Sequence, residues 1–362
     1  MGIPERLERY AAECRLHEAT LVHAGAPMYA ALCGLMARDI DMLELAAHTA
    51  PNQIPDIAVL GAANYLLLGE PDTALARHHP ICTGRPAVAA DLYPGLRAFC
   101  LDRAQAIAEI VATRPIQYTA PGRAALVLPP IALAARDAGA PMTLVEAGCS
   151  VGFNLMFGHF HYDYGAAGTV GDPHSPVHLK CEVQGAPEVV RASMPAGVPA
   201  VAARIGIDLN LIDVDDPDQY RWLLANLWPE QLERRRNFEA AIGLLRSDPP
   251  RFLRGNALDH LPALLADGGG PLCLLHSVVL YYFSAEEMQR LEQMLLAASR
   301  HRLIHRIGIE YWSALDARSR QAELDQGKRA PPEIRHFRYA GGEVQSRVLA
   351  RCDNDGGFIK WL

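Results

Sequence analysis

The sequence predicts an α/β protein whose mostly parallel sheet ends in a C-terminal antiparallel hairpin and is preceded by an α-helical N-terminal domain. Three observations carry this. From Pro4 to about Arg114 apolar residues recur at three-to-four spacing and no segment alternates as a strand would. From Thr143 onward, short β-rich apolar runs alternate with helical stretches, the rhythm of parallel strands joined by crossover helices. Near the end, His336 to Tyr339, a Gly341-Gly342 turn and Glu343 to Ala350 read as a hairpin, with Phe358 to Leu362 as a final edge strand. The expected domains are 1–115 and 116–362, the second carrying an inserted flap at about 162–200.

In the helical part the expected helices are Pro4 to His23, Pro27 to Arg38, Asp41 to His48, Ile57 to Leu68, and Ala87 to Thr113, the last kinked or split by Pro94. Arg77-His78-His79 lies in a Pro-bounded connection and reads either as a polar loop or as a substrate or metal contact. A helix from Pro121 to Asp137 follows, which Pro129 and Pro130 must kink or split. Gln117, Tyr118 and Arg123 beside it are candidates to face a cleft.

The chemistry centres on Thr143 to Asn154, TLVEAGCSVGFN, read as strand, tight turn and helix. Glycines at 148 and 152 let a ligand approach the backbone, and the amides opening a following helix favour an anionic group. Glu146, ending the strand, repels a pyrophosphate and suits a cationic or amine-bearing ligand. A dinucleotide fingerprint needs G-x-G-x-x-G; here Asn154 and Leu155 stand where the third glycine would fall. The same letters, Gly148-Cys149-Ser150-Val151-Gly152, also spell the G-x-S-x-G elbow of serine hydrolases.

Further strands are expected at Ala202 to Leu211, Arg251 to Leu258, Pro271 to Phe283 and Leu303 to Trp312. Asp208 ends the first of these, where doubly wound folds place an acid on ribose hydroxyls, with Asp163 as the alternative if 162–200 is not an insertion. Asp216 to Ser247 reads as helix broken at Pro229, with Arg234-Arg235-Arg236 as a solvated face or an acidic-acceptor contact. Ser284-Ala285-Glu286-Glu287 is a capping box, and Ser313 to Gln326 a polar helix over the cleft. His159, His161, His174 and His178 form a zinc set only on paper, without a thiolate at ligand spacing; no metal is expected.

Composition narrows the function classes. Among 362 residues the net charge is −7 with no basic stripe, so the footprint of a nucleic-acid binder is missing. The longest uncharged apolar run, Leu272 to Phe283, is too short to span a bilayer. Eight cysteines without C-x-x-C spacing, and an N-terminus unlike a signal peptide, point to a reduced cytoplasmic protein. A small-molecule substrate is the expected partner.

Four stretches, VEAGCSVG, RIGIDLN, FLRGNALDHLP and LCLLHSVVLYYFSAEE, occur in the order of the first four strand ends of class I S-adenosylmethionine-dependent methyltransferases, which this part of the chain resembles. The whole chain resembles an uncharacterised bacterial family in which a helical N-terminal region precedes such a Rossmann-like domain. The resemblance implies S-adenosylmethionine as cofactor, with Glu146, Gly148, Ser150, Gly152 and Asn154 around its methionine part and Asp208 on the ribose. It also implies Asn256 and Ala257 at the adenine, and His276 and Ser277 beside the sulfonium. Asn256 stands where many members carry aspartate. Methyl transfer asks mainly for alignment of donor and acceptor, with His276 and Tyr281 as candidates for handling a proton.

Two other classes compete. A serine hydrolase would use Ser150 with Asp259 and His276, or with Glu310 and His336, although everything before Thr143 reads as helical and no HGGG-type motif precedes it. The other is a non-catalytic protein that keeps the fold and the cofactor and uses its helical region for contacts.

Overall fold

The computed structural model describes residues 3–23, 25–50, 53–116, 119–267, 270–315 and 330–362. The chain divides into two compact units, one of residues 1–118 and 213–235, the other of residues 119–212 and 236–362. The segment 213–235, which the sequence reading placed in the α/β domain, therefore belongs to the helical unit.

The helical unit is built round Pro55–Gly69, whose buried residues include Ala58, Leu60, Ala62, Ala63 and Leu67 and so run round the helix. A helix apolar on all sides must be central. Its buried polar residues are matched: Asp56 accepts from His17 Nδ1 at 2.9 Å, and Asn64 donates to Tyr29 Oη at 3.1 Å and to the Ala225 carbonyl at 2.9 Å. The stretch expected as one helix from Ala87 to Thr113 forms two, Ala89–Asp102 and Ala104–Thr113. The break falls at Arg103 rather than at Pro94, and there the guanidinium lies over Phe99 and bonds both oxygens of Glu70. In the connection at 77–79, His79 is buried and its ring nitrogen accepts from Ile81 N, capping Pro80–Thr83; burial lowers its pKa to about 4.

The second unit is a mixed α/β body. Its strands are β1 (Met142–Ala147), β2 (His161–Asp163), β3 (Thr169–Val170), β4 (His178–Lys180), β5 (Glu182–Gln184), β6 (Val201–Asp208), β7 (Arg251–Arg254), β8 (Leu272–Ser277), β9 (Ile304–Glu310), β10 (Glu333–Ala340), β11 (Glu343–Cys352) and β12 (Phe358–Trp361). The large sheet runs β5-β12-β11-β10-β9-β8-β1-β6-β7. From β9 to β7 all neighbours are parallel, and β10, β11 and β12 each join the preceding strand antiparallel. The expected strand at Phe358 to Leu362 exists but is not the edge, since β5 pairs parallel outside it. Three-residue β5 is too short to show a strand pattern in sequence.

The inserted segment supplies more than a flap. Besides β5 it forms a separate sheet in the order β3-β2-β4 and the helix Pro187–Ser193. Because β6 pairs parallel with β1 from Thr143 opposite Ala203 to Ala147 opposite Ile207, Asp208 ends the second strand of the fold. Asp163, the alternative, lies in the small sheet and accepts from Gly165 N at 2.9 Å.

Two expected helices behave differently. Ala124–Ala138 runs unbroken through Pro129 and Pro130. Proline at 129 leaves the carbonyl of residue 125 without its helical donor, and the buried Tyr164 hydroxyl fills that place, donating to Ala125 O at 2.9 Å. Conversely, the helix expected after the glycine turn is a 3₁₀ run, Phe153–His159. Residues 153–157 are all buried, so no polar face exists to enforce a 3.6-residue repeat. The anion-binding helix N-terminus expected at Gly152 is therefore absent. The expected helix at Ser313 to Gln326 lies largely outside the described residues, as do Gln117 and Tyr118.

Candidate functional site

The chain passes from β1 to β6 on one side and β8 flanks β1 on the other, so the carboxyl ends of β1 and β8 border the point where the strand order reverses. Doubly wound sheets bind ligands in that crevice. Glu146, Ser150 and Ser277 stand at these strand ends, and Asp208 stands at the end of the neighbouring β6.

Glu146 is 1% exposed. Asn154 Nδ2 donates to its Oε1 at 2.7 Å, while Oε2, like Asn154 Oδ1, has no hydrogen-bond partner among the described residues. Burial raises the carboxyl's pKa to about 8, with Asp208 adding to the rise and the Asn154 hydrogen bond and the Arg123 charge opposing it. Neither buried oxygen is met by a donor from another described residue. Ser150 Oγ and Ser277 Oγ are likewise buried and unpartnered among the described residues.

The bend after β1 is held by its neighbours. The amides of Gly148 and Cys149 both donate to the Ile207 carbonyl, at 2.8 and 3.2 Å. Gly148, Ser150 and Gly152 have φ of 74, 51 and 86°. A Cβ on Gly148 would lie 2.6 Å from Val279 Cγ2, and one on Gly152 would lie 2.9 Å from the Phe252 ring. Both glycines are therefore required by packing as well as by backbone conformation, independently of any ligand. Ser150 N donates to Asp208 Oδ2 at 2.8 Å, and Asn210 N to its other oxygen at 2.8 Å.

Ser150 and Val278 are the non-glycine residues with positive φ among those described, at 51 and 53°. One follows β1 and the other β8. A β-branched residue in the left-handed region costs energy, and such strain concentrates at functional sites. The backbone beyond Val278 is held by Glu310, whose Oε1 accepts from Val279 N at 3.2 Å and Leu280 N at 3.4 Å.

The chain matches, over residues 8–361, the model of a family described as uncharacterized protein conserved in bacteria (DUF2332). It belongs to that family. No curated protein matches the chain.

In this family member the remaining nominated residues separate. Side chains alternate along a strand, so register places Glu146, Leu275 and Ser277 on one face of the sheet and Ala147, His276, Gly308 and Glu310 on the other. His276 is buried with Nδ1 2.8 Å from Glu310 Oε1, its ring over Gly308 and edge-on to Trp312. Burial lowers its pKa, with Glu310 opposing. Tyr281 is 52% exposed, its ring 3.9 Å from that of Tyr282. Asn256 caps the helix Ala257–Ala266, its Oδ1 accepting from Leu258 N at 2.9 Å; the amide expected to meet adenine is thus engaged in holding the helix start, next to buried Ala257.

The hydrolase sets are not assembled. Glu310 bonds His276, and His336 lies 2.9 Å from His305 Nδ1 instead of next to Glu310. The four histidines of 159–178 are spread as well: His159 pairs with Asp248 at 3.0 Å, and His161 packs on His178. Among the described residues no group of three or more His, Cys, Asp or Glu is placed to hold a metal ion, and no helix is long and apolar enough to cross a membrane.

A hollow of about 720 Å³ lies at the opposite edge of the sheet, lined by Ala138, Pro262, Pro271, Met294 and Leu303 among others. It touches none of the nominated residues. Its lining is mostly apolar, with His301 and Arg302 as its basic residues, whereas the carboxyl edge gathers buried unpartnered polar atoms and two left-handed non-glycine residues and is the stronger candidate. Glu310 was underread in the sequence, where it figured only as a partner for His336. The signal was present: like Glu146, it is an acid closing an otherwise buried parallel strand.

Proposed function

We propose that this protein binds S-adenosylmethionine at the carboxyl edge of its sheet and transfers the methyl group to a small-molecule acceptor. The observation that carries the reading is the buried Glu146 carboxyl, one oxygen held by Asn154 and the other without a donor, at the point where the parallel strands divide. A ligand ammonium supplies the missing donors and draws the carboxyl into its charged form. A pyrophosphate meets repulsion there and, with no long helix opening at Gly152, lacks the amides that would hold it.

Asp208 supports the same reading. Its two oxygens each accept one backbone amide and keep lone pairs for the hydroxyls of a ribose. The parallel order β7-β6-β1-β8-β9 is the 3-2-1-4-5 arrangement of doubly wound nucleotide-binding sheets. The cofactor supplies the activated methyl group, leaving the protein to align donor and acceptor. Of the two candidates for proton handling, Tyr281 stands at solvent beyond β8, whereas His276 is buried on the far face.

That position of His276, with Nδ1 committed to Glu310, favours a second reading in which the cofactor is bound but not turned over. Two measurements separate the readings. S-adenosylmethionine and S-adenosylhomocysteine should each raise the melting temperature while NAD does not; no rise with either sinks both readings. Transfer of a labelled methyl group into a fractionated small-molecule extract distinguishes an enzyme from a binder. Ser150 should resist a fluorophosphonate, since its hydroxyl is buried and no histidine among the described residues bonds it.

A further inference from the structure

The arrangement next to Glu146 contains a fixed cation whose role the fold does not exhaust. Arg123 ends the 3₁₀ turn Pro121–Arg123, which packs against the 3₁₀ run Phe153–His159 that carries Asn154. Its charge favours the ionised form of Glu146, although the two form no direct ion pair among the described residues. Its orientation is set from the other side. Nε donates to the Asn354 carbonyl at 3.1 Å and one terminal nitrogen to Asn354 Oδ1 at 3.3 Å, leaving Nη1 without a partner among the described residues.

The loop that holds Arg123 is tied by its own hydrogen bonds. Asp353 accepts from the amides of Asp355, Gly356 and Gly357 at 3.2, 2.9 and 3.1 Å. Its backbone abuts that of the 121–123 turn so closely that a Cβ on Gly356 would lie 1.9 Å from Gly122 O, and one on Gly122 would lie 2.3 Å from Asp355 O. Holding a long side chain in one orientation removes most of the entropy cost of using it to bind a ligand. The unpartnered Glu146 Oε2 and Asn154 Oδ1 belong to β1 and to the 3₁₀ run against which the Arg123 turn packs.

We infer that Arg123 and Glu146 together recognise a zwitterion, an α-amino-acid head group whose ammonium is taken by Glu146 and Asn154 and whose carboxylate is taken by Arg123. Asn354 is the positioning residue, acting through Arg123. The inference rests on the proposed cofactor site and goes beyond it. It makes the amino-acid end of the ligand, rather than its nucleoside, the main source of affinity, and it requires the carboxylate as well as the ammonium.

The test uses the full chain and two nucleosides, S-adenosylhomocysteine and 5′-methylthioadenosine, which share the adenosine and thioether but differ in the amino-acid end. Arg123→Ala should weaken S-adenosylhomocysteine by about tenfold or more, the scale of a charge-assisted pair, and leave 5′-methylthioadenosine within about twofold. Arg123→Lys should recover part of the loss, and Asn354→Ala should show a smaller loss of the same selectivity. The lysine and Asn354 variants carry the test if Arg123→Ala does not fold. Equal weakening of both nucleosides, or none, overturns the zwitterion clamp while the cofactor reading stands. If the wild type binds 5′-methylthioadenosine and S-adenosylhomocysteine equally, the clamp also fails; if it binds neither, the cofactor reading fails and the clamp with it.

Discussion

The Ser150 amide donates to Asp208 Oδ2 at 2.8 Å, so the acid at the end of β6 holds the left-handed residue of the bend after β1. The other carboxylate oxygen binds Asn210 N, which makes Asp208 a tie between two strand ends before any ligand arrives. Asp208→Ala should therefore lower stability as well as ligand affinity. Hydrogen bonds to a charged group contribute about 1.5–3 kcal/mol, so a shift of that size is expected in urea unfolding at unchanged m. Asp208→Asn should lose less. A change below about 0.5 kcal/mol, within the usual range for surface substitutions, would show that the bend does not depend on this carboxylate.

Tyr164 offers an independent check on the fold. Its hydroxyl serves the Ala125 carbonyl that Pro129 leaves without a helical donor. Tyr164→Phe should cost about 1–3 kcal/mol, the penalty of a buried unpaired acceptor. Pro129→Ala returns an amide to the helix and should reduce that cost in the double variant. Additive effects in the cycle would mean the two residues do not share the carbonyl.

How far the sequence revealed this arrangement depends on pattern length. β8 was legible because buried parallel strands are near-continuous in apolar residues, as LCLLHS is, whereas β9, IHRIGIE, shows only its recurring isoleucines. The run FNLMFGH reads as helical from the spacing of Phe153, Leu155, Met156 and Phe157, but a stretch buried from 153 to 157 does not enforce a 3.6-residue repeat, and only tertiary packing settles it as 3₁₀. β3 and β5, at two and three residues, fall below the length at which alternation is visible. The assignment of 213–235 to the helical unit depends on contacts distant in sequence, such as Asn64 with the Ala225 carbonyl, which local pattern does not encode. Glu146 and Asp208 were legible as acids closing strands; the opposite facing of His276 became visible only once register fixed which residues share a face.

Glu310 and Val278 make a pair of opposed expectations. Glu310 is buried and accepts from His276 and from two amides of the turn that follows Val278, so Glu310→Ala should destabilise by at least about 1–3 kcal/mol, the penalty for leaving buried donors unpaired. Glu310→Gln keeps an acceptor oxygen and should lose clearly less. Val278→Gly should be neutral or stabilising, because a left-handed β-branched residue costs about 1–2 kcal/mol and glycine's added chain entropy offsets only about half of that. Thermal unfolding of the three variants reads all of this, and a strongly destabilised Val278→Gly would mean that its side chain matters more than its backbone.

Glu146 sets a pH dependence whose sign is fixed by its burial. Its pKa is raised from 4.5 to about 8 in the folded chain, so between those values the native state holds a proton that the unfolded state has released. Stability attributable to this group is fully present below about pH 4.5, falls as the pH rises through that window and levels off above about 8. Glu146→Gln removes the titration while keeping an acceptor for Asn154. The stability of the wild type minus that of the variant should therefore decline across the window, with a slope on the order of 1.4 kcal/mol per pH unit at most. S-adenosylhomocysteine should reverse the trend in the wild type, since its ammonium favours the ionised carboxyl: its affinity should rise with pH up to about 8, and binding at pH 7 should release a proton. Calorimetry in two buffers of different ionisation enthalpy measures that release, and a ligand that binds without any proton change would place Glu146 outside the contact.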